Sequence, residues 1–179
     1  MVRLGAEIRR GAWGLTRARE VARRIEGDGR TVKALVEAMF EDEPELRKRA
    51  ADVARRITDK GAGPLERYAD ELAGLLAEVA VEESRTRWHL GLVVARVAHT
   101  REQRLRAGRL MELLAADESN VARCSALEGI GVLAVGEHSL REVAEEMIER
   151  ALREGTLAMK CRAREAKRRL EKASRSQSL

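Results

Sequence analysis

Few side chains in this 179-residue chain are of types that do covalent or metal chemistry. Cys124 and Cys161 are its two cysteines, and His89, beside Trp88, is one of three histidines. His89 and Cys124 could share a metal, but zinc asks for a third and fourth ligand and the sequence offers none, so no metal is expected. Neither GxxxxGK[ST] nor GxGxxG occurs, so no loop is expected to cradle phosphates and no cofactor to be held. What remains is binding chemistry. Arg23, Lys48, Asp52, Arg55, Trp88, Leu92, Cys124, Glu128 and Arg168 are expected to line one strip, for a reason that lies in the helices carrying them.

One helix is written five times. Ala18, Val21 and Ile25 recur in register as Ala50, Val53 and Ile57; Leu90, Val93 and Val97; Ala126, Gly129 and Leu133; and Ala163, Ala166 and Leu170. The spacing of 0, +3 and +7 is one face of an α-helix. Successive copies are 32, 40, 36 and 37 residues apart, and the first two share the pentapeptide Val-Ala-Arg-Arg-Ile. A self-similar period in this range signals a helical solenoid. Between the copies lie other amphipathic segments, 31–40, 65–79, 101–114 and 140–153, expected as outer helices. Aromatics are 2% of the chain, so packing must come from Ala, Leu, Val and Ile.

Punctuation agrees with this alternation. Arg3 to Arg10 is expected as a short first helix, and Gly27-Asp28-Gly29 as the stop of the first copy. Pro44 suits the first turn of the second copy, and Gly61 to Pro64 is a break. Ser84 is an expected N-cap, and Ser119 and Asn120 both offer caps for the helix that starts near Val121. Thr100–Gln103 and Ser139–Glu142 have capping-box spacing. The tail after Lys172 lacks an apolar period and is expected to be disordered. Residues 1–172 are thus expected as one domain, with 1–13 an uncertain N-terminal cap and 173–179 a disordered tail. The absence of a leader-like segment and the cysteine usage lead to an expectation of a cytoplasmic protein with reduced thiols and no membrane contact.

The recurring unit resembles a HEAT repeat. Its second helix begins with an apolar residue followed by a basic one, written here as Leu46-Arg47, Ala122-Arg123 and Met159-Lys160, with Thr86-Arg87 in the third copy. Asp42, Glu82 and Glu118 lie five positions upstream, similar to the Asp/Arg ladder of that family. The last copy departs, with Gly155 in the acidic slot. The resemblance implies an all-α fold: a right-handed α-α superhelix of about four and a half helix pairs. It implies an architecture and leaves function open.

In such a stack each recurring helix leaves only the strip opposite its buried face open, and this strip gathers the residues named above. The recurring helices hold twenty basic residues against five acids, and the outer helices with their loops (30–45, 64–83, 101–118 and 139–154) hold ten against twenty. A basic concave face would draw in an acidic partner; alternatively, the arginines pair with loop acids or solvate the surface. Trp88 and Leu92 beside arginines have the composition of a binding hot spot; alternatively, Trp88 is buried against its neighbours. The Cys124 and Cys161 slots are adjacent, but helix axes about 8–10 Å apart make a disulfide difficult.

The expected function is a non-enzymatic scaffold for an acidic protein or peptide, with nucleic acid as the alternative. A third reading comes from HEAT-like glycosylases of alkylated DNA bases, which resemble this chain in a basic concave face with aromatics and an acid. It would make Asp52 catalytic.

Overall fold

The computed structural model describes residues 2–25 and 28–177, and among these the only regular structure is helical. Ten α-helices follow one another: α1 (Val2–Arg9), α2 (Leu15–Ile25), α3 (Gly29–Phe40), α4 (Pro44–Ile57), α5 (Ala69–Glu78), α6 (Ser84–Val97), α7 (Arg101–Ala115), α8 (Asn120–Gly136), α9 (Arg141–Glu154) and α10 (Leu157–Gln177). The even-numbered helices lie against one another in chain order, α2 on α4, α4 on α6, α6 on α8 and α8 on α10. Each of α3, α5, α7 and α9 packs on the even-numbered helix that follows it. The short α1 rests on α3 and α4, with Leu4 and Ile8 in the core.

All fifteen recurring positions are buried, from Ala18 to Leu170. Burying a Val, Leu or Ile side chain is worth about 1.5–3 kcal/mol, and these residues recur in every even-numbered helix. The outer helices bury Leu35, Met39, Leu72, Leu76, Met111, Leu114 and Ile148 toward the same core. Phe40 and Leu113, apolar residues of the segments expected as outer helices, are exposed, at 48% and 66%.

Helix ends follow local chemistry. Asp28 caps α3 by accepting from Arg30 N at 3.0 Å. Gly27 lies outside the described residues, so the Gly27–Gly29 stop is not described as a whole. Thr100 and Gln103 form the expected capping box on α7, and Pro44 takes the first turn of α4. Gly61 and Gly63, at φ 134° and 52°, make the break before Pro64, where only glycine adopts the left-handed backbone without strain. The segment Gly63–Tyr68 then winds as a 3-10 helix, so the expected continuous outer helix is split before α5.

Three end assignments change. Ser84 is the first helical residue of α6 and Glu83 precedes it as N-cap. Ser139 does not open α9: Glu137 takes both its N–H and its hydroxyl, holding His138–Leu140 in a 3-10 turn. The segment after Lys172, expected to be disordered, is helical through Gln177. There Arg141 Nη2 donates to Leu170 O at 3.0 Å and Ser174 Oγ donates to the same carbonyl at 3.0 Å, so the last turns are tied to α9 by polar contacts.

Candidate functional site

Asp52 is the centre of the strip, and it is 8% exposed. α4 brings Lys48, Asp52 and Arg55 to one face. Arg56 Nη2 lies 3.0 Å from Asp52 Oδ1, Arg55 Nη2 3.6 Å from the same oxygen, and His89 Nε2 of α6 4.0 Å from it. Trp13 Nε1 donates to Asp52 Oδ2 at 3.3 Å. Trp13 is held in turn: Arg49 places its guanidinium 5.5 Å from the ring centroid while donating to Ile8 O, Arg9 O and Gly11 O, which closes the end of α1. An aspartate enclosed by two guanidiniums, an indole and an imidazole is a cross-brace between α4, α6 and the turn that follows α1.

His89 stacks on Trp88 with centroids 4.3 Å apart, and Arg55 lies 5.9 Å from the Trp88 ring. Burial pushes the His89 pKa down to about 4, helped by Arg55, Arg56 and Arg85 and opposed by Asp52. The imidazole is therefore neutral near pH 7, and its Nδ1 is buried without a hydrogen bond. Trp88 is half-buried.

Leu92, expected on the open strip, is buried at 3%, and Ala95 beside it at 2%. The reason is close helix approach. A Cβ on Gly129 would lie 3.1 Å from Ala95 Cβ and 2.4 Å from Met111 Sδ. A Cβ on Gly91 would lie 2.9 Å from Ser125 Oγ. The glycines let small side chains of the facing helix approach closely, and α6 has α4 on its other side, so little of it is left open. An anchor built from Trp88 and Leu92 together is thus reduced to Trp88.

Charge continues along the strip through residues that periodicity did not single out. Arg96 of α6 donates to Arg55 O at 3.2 Å and to Asp59 Oδ1 at 2.8 Å on one side, and to Glu128 Oε1 at 3.0 Å on the other. Glu128 also faces Arg162 of α10 at 3.9 Å, and Arg162 pairs with Glu165 at 2.6 Å. Cys124 is half-buried and Cys161 exposed, and both thiols are free. Burial pushes the Cys124 thiol up, against the pull of Arg162 and Arg123. Lys48 pairs with Glu45. Among the described residues no group of three or more His, Cys, Asp or Glu could hold a metal.

A second set of pairs links each unit to the next. Arg9 meets Glu43 at 2.7 Å, Arg47 meets Glu83, and Arg87 meets Asp117 at 2.7 Å. Arg47 also donates to Met39 O, and Arg87 to Val79 O, each a carbonyl eight residues back. The acids are Glu43, Glu83 and Asp117 in place of the expected Asp42, Glu82 and Glu118. Glu43 and Glu83 are the residues immediately before α4 and α6, and Asp117 is fixed by the N–H of Ser119 at 2.7 Å.

With the central arginines paired, unneutralised charge is left at the ends of the row. Arg23 and Arg168 are exposed, and neither makes an ion pair among the described residues. α10 holds eight basic residues against two acids, more than the whole chain's net +5. Arg164, Lys167, Arg168, Arg169, Lys172 and Arg175 of this helix are all exposed.

No family model, curated protein or solved structure matches the chain. Among the described residues no helix is long and apolar enough to cross a membrane.

Proposed function

We propose that the chain is a non-enzymatic helical-repeat scaffold, a HEAT-like right-handed superhelix, that holds an acidic protein or peptide through the basic surface ending at α10. The observation that supports this reading is the division of charge. Arg47, Arg55, Arg56, Arg87, Arg96 and Arg162 are occupied by carboxylates of the chain itself. The exposed cations of α10, Arg168 among them, face solvent and keep their field. Arg23 at the other end is a second, smaller pole, and Trp88 between them offers the one partly open aromatic of the strip.

A narrow acidic element suits this surface better than a nucleic-acid duplex. Glu165 and Glu171 interrupt the cations of α10, and Glu145 and Glu149 of α9 border the same helix across a shallow cavity of about 290 Å³. A wide polyanion would meet these acids as well as the cations, and α10 offers no aromatic on which bases could stack. The test is equilibrium binding of a labelled oligoglutamate and of a labelled DNA oligonucleotide, each at low and moderate salt. The scaffold reading expects oligoglutamate to bind more tightly, and binding to fall when Arg164 and Arg168 are both changed to Glu. Preferential DNA binding, with affinity falling steeply in log salt, would replace this reading by a phosphate-tracking one.

A further inference from the structure

The ladder of pairs between successive units stops one rung short. Arg123 of α8 occupies the position of Arg47 in α4 and Arg87 in α6. Those two each hold a loop acid and a carbonyl eight residues back. Arg123 makes no hydrogen bond or ion pair with its side chain among the described residues, and its Nε is buried with no acceptor. The loop ahead of α10 explains why. In the register that aligns Ala163 with Leu90 and Ala126, it presents Thr156 where the loop before α6 presents Glu83, and Glu154 where the loop before α8 presents Asp117. The Thr156 hydroxyl is engaged elsewhere, donating to Asn120 Oδ1 at 2.8 Å and accepting from Met159 N at 3.3 Å. Glu154 stands 68% exposed, 3.8 Å from Arg153.

A cavity of about 370 Å³ opens at this place, and Arg123, Arg150, Met147, Met159, Glu112 and Glu154 are among its lining residues. The geometry points to a carboxylate-binding pocket at Arg123, in which a carboxylate with a short apolar tail supplies the rung that the last loop lacks. A guanidinium fork matches a carboxylate with two parallel hydrogen bonds. The start of the 21-residue α10 lies at the same cavity through Thr156, and its free N–H groups add to the preference for negative charge. Met147 and Met159 give the tail an adaptable apolar wall. Glu112 and Glu154 offset the charge of the two arginines, so a monoanion is accepted where a dianionic phosphate is repelled. The carboxylate has two possible sources, a free small organic acid or a glutamyl side chain of a peptide. This pocket goes beyond the scaffold reading and does not rest on it.

The experiment is a titration of the full chain with sodium propionate and, separately, with an N-acetylated, C-amidated Ala-Glu-Ala peptide. It is read by the Arg123 Nε–H resonance and by the melting temperature, with sodium chloride and sodium phosphate at matched ionic strength as controls. The expected result is a saturable shift and a raised melting temperature with propionate, the peptide, or both, and at least about tenfold weaker binding of phosphate, which lacks the charge match. A response to propionate alone assigns a free acid, and a response to the peptide assigns a side chain. In Arg123→Gln the response is lost. Arg150→Gln, a second variant should the first fold poorly, weakens it. Arg164→Glu with Arg168→Glu leaves propionate binding unchanged, which separates the pocket from the surface of α10. The proposal is overturned if neither probe exceeds the chloride control or if the response survives in Arg123→Gln. It is equally overturned if Glu154→Gln shifts the Arg123 resonance of the unliganded chain, since Glu154 would then be filling the rung.

Discussion

Gly131 of α8 and Ala166 of α10 meet so closely that a Cβ on Gly131 would lie 2.8 Å from the Ala166 Cβ and 3.1 Å from its Cα. The backbone of α10 is thus seated directly on α8, and the glycine that weakens one helix is what joins two. Replacing Gly131 by Ala gains about 1 kcal/mol of helix propensity but drives a methyl into main-chain atoms that have no free rotation, at about 1–3 kcal/mol. The expected net effect is a loss of up to about 2 kcal/mol in urea unfolding. Gly74 in α5 has nothing within 4 Å of the same methyl, so Gly74→Ala should stabilise by about 0.5–1 kcal/mol. Equal effects at the two sites would contradict the packing described.

Asp52 Oδ2 accepts from both Trp13 and Arg56, and Arg55 faces the same carboxylate as an ion pair. Removing one partner of a buried charge group leaves the others desolvated and unpaired, so Asp52→Ala should cost roughly 3 kcal/mol. Asp52→Asn, which keeps an oxygen for the Trp13 N–H, should cost less. Denaturant unfolding of both variants, with Trp13 fluorescence as local probe, checks the order. A stable Asp52→Ala chain with unchanged fluorescence would argue against the cross-brace.

His89 supplies a pH dependence of definite sign. Its ordinary pKa of 6.5 falls to about 4 in the fold, because burial and the neighbouring arginines disfavour the imidazolium. The unfolded chain therefore binds the extra proton first. Stability from this group is complete above pH 6.5 and is lost as pH falls toward 4, by up to roughly 3 kcal/mol. Measured from pH 7 to pH 4, the difference in unfolding free energy between wild type and His89→Gln should shrink with falling pH. A constant difference would remove His89 as the cause.

The ladder arginines should behave unequally. Arg87 is bound to Asp117, whose side chain is 1% exposed, so Arg87→Met strands a buried carboxylate at about 3 kcal/mol or more. Arg123 has no such partner, and Arg123→Met removes a buried N–H without an acceptor. In the absence of added carboxylate it should be neutral or stabilising by about 1 kcal/mol. Thermal melts of the two variants side by side give the comparison.

Periodicity located the core because Ala50, Leu90, Ala126 and Ala163 repeat one geometric demand, contact with the next helix of the row. It placed Leu92 wrongly because α6 lies between α4 and α8 in the row, and a helix with a neighbour on each side buries more than one face. The ladder acids were missed by one residue each. Asp42 and Glu43 are chemically alike, and only the angle at which α4 begins decides which one faces Arg9. Trp13 and Arg49 escaped notice as part of the Asp52 site because Trp13 sits in a turn, where no period exists. The end of α10 was misjudged because its apolar residues stop at Leu170, while Arg141 and Ser174 carry the helix onward by polar contacts.

The cationic surface of α10 has a further effect at high protein concentration. Among the described residues α10 ends the row of packed helices, and its solvent side carries these cations. Two such ends brought face to face would confront six exposed cations apiece, a repulsion strongest in dilute buffer. A contact between two copies through this surface would therefore weaken as salt is removed.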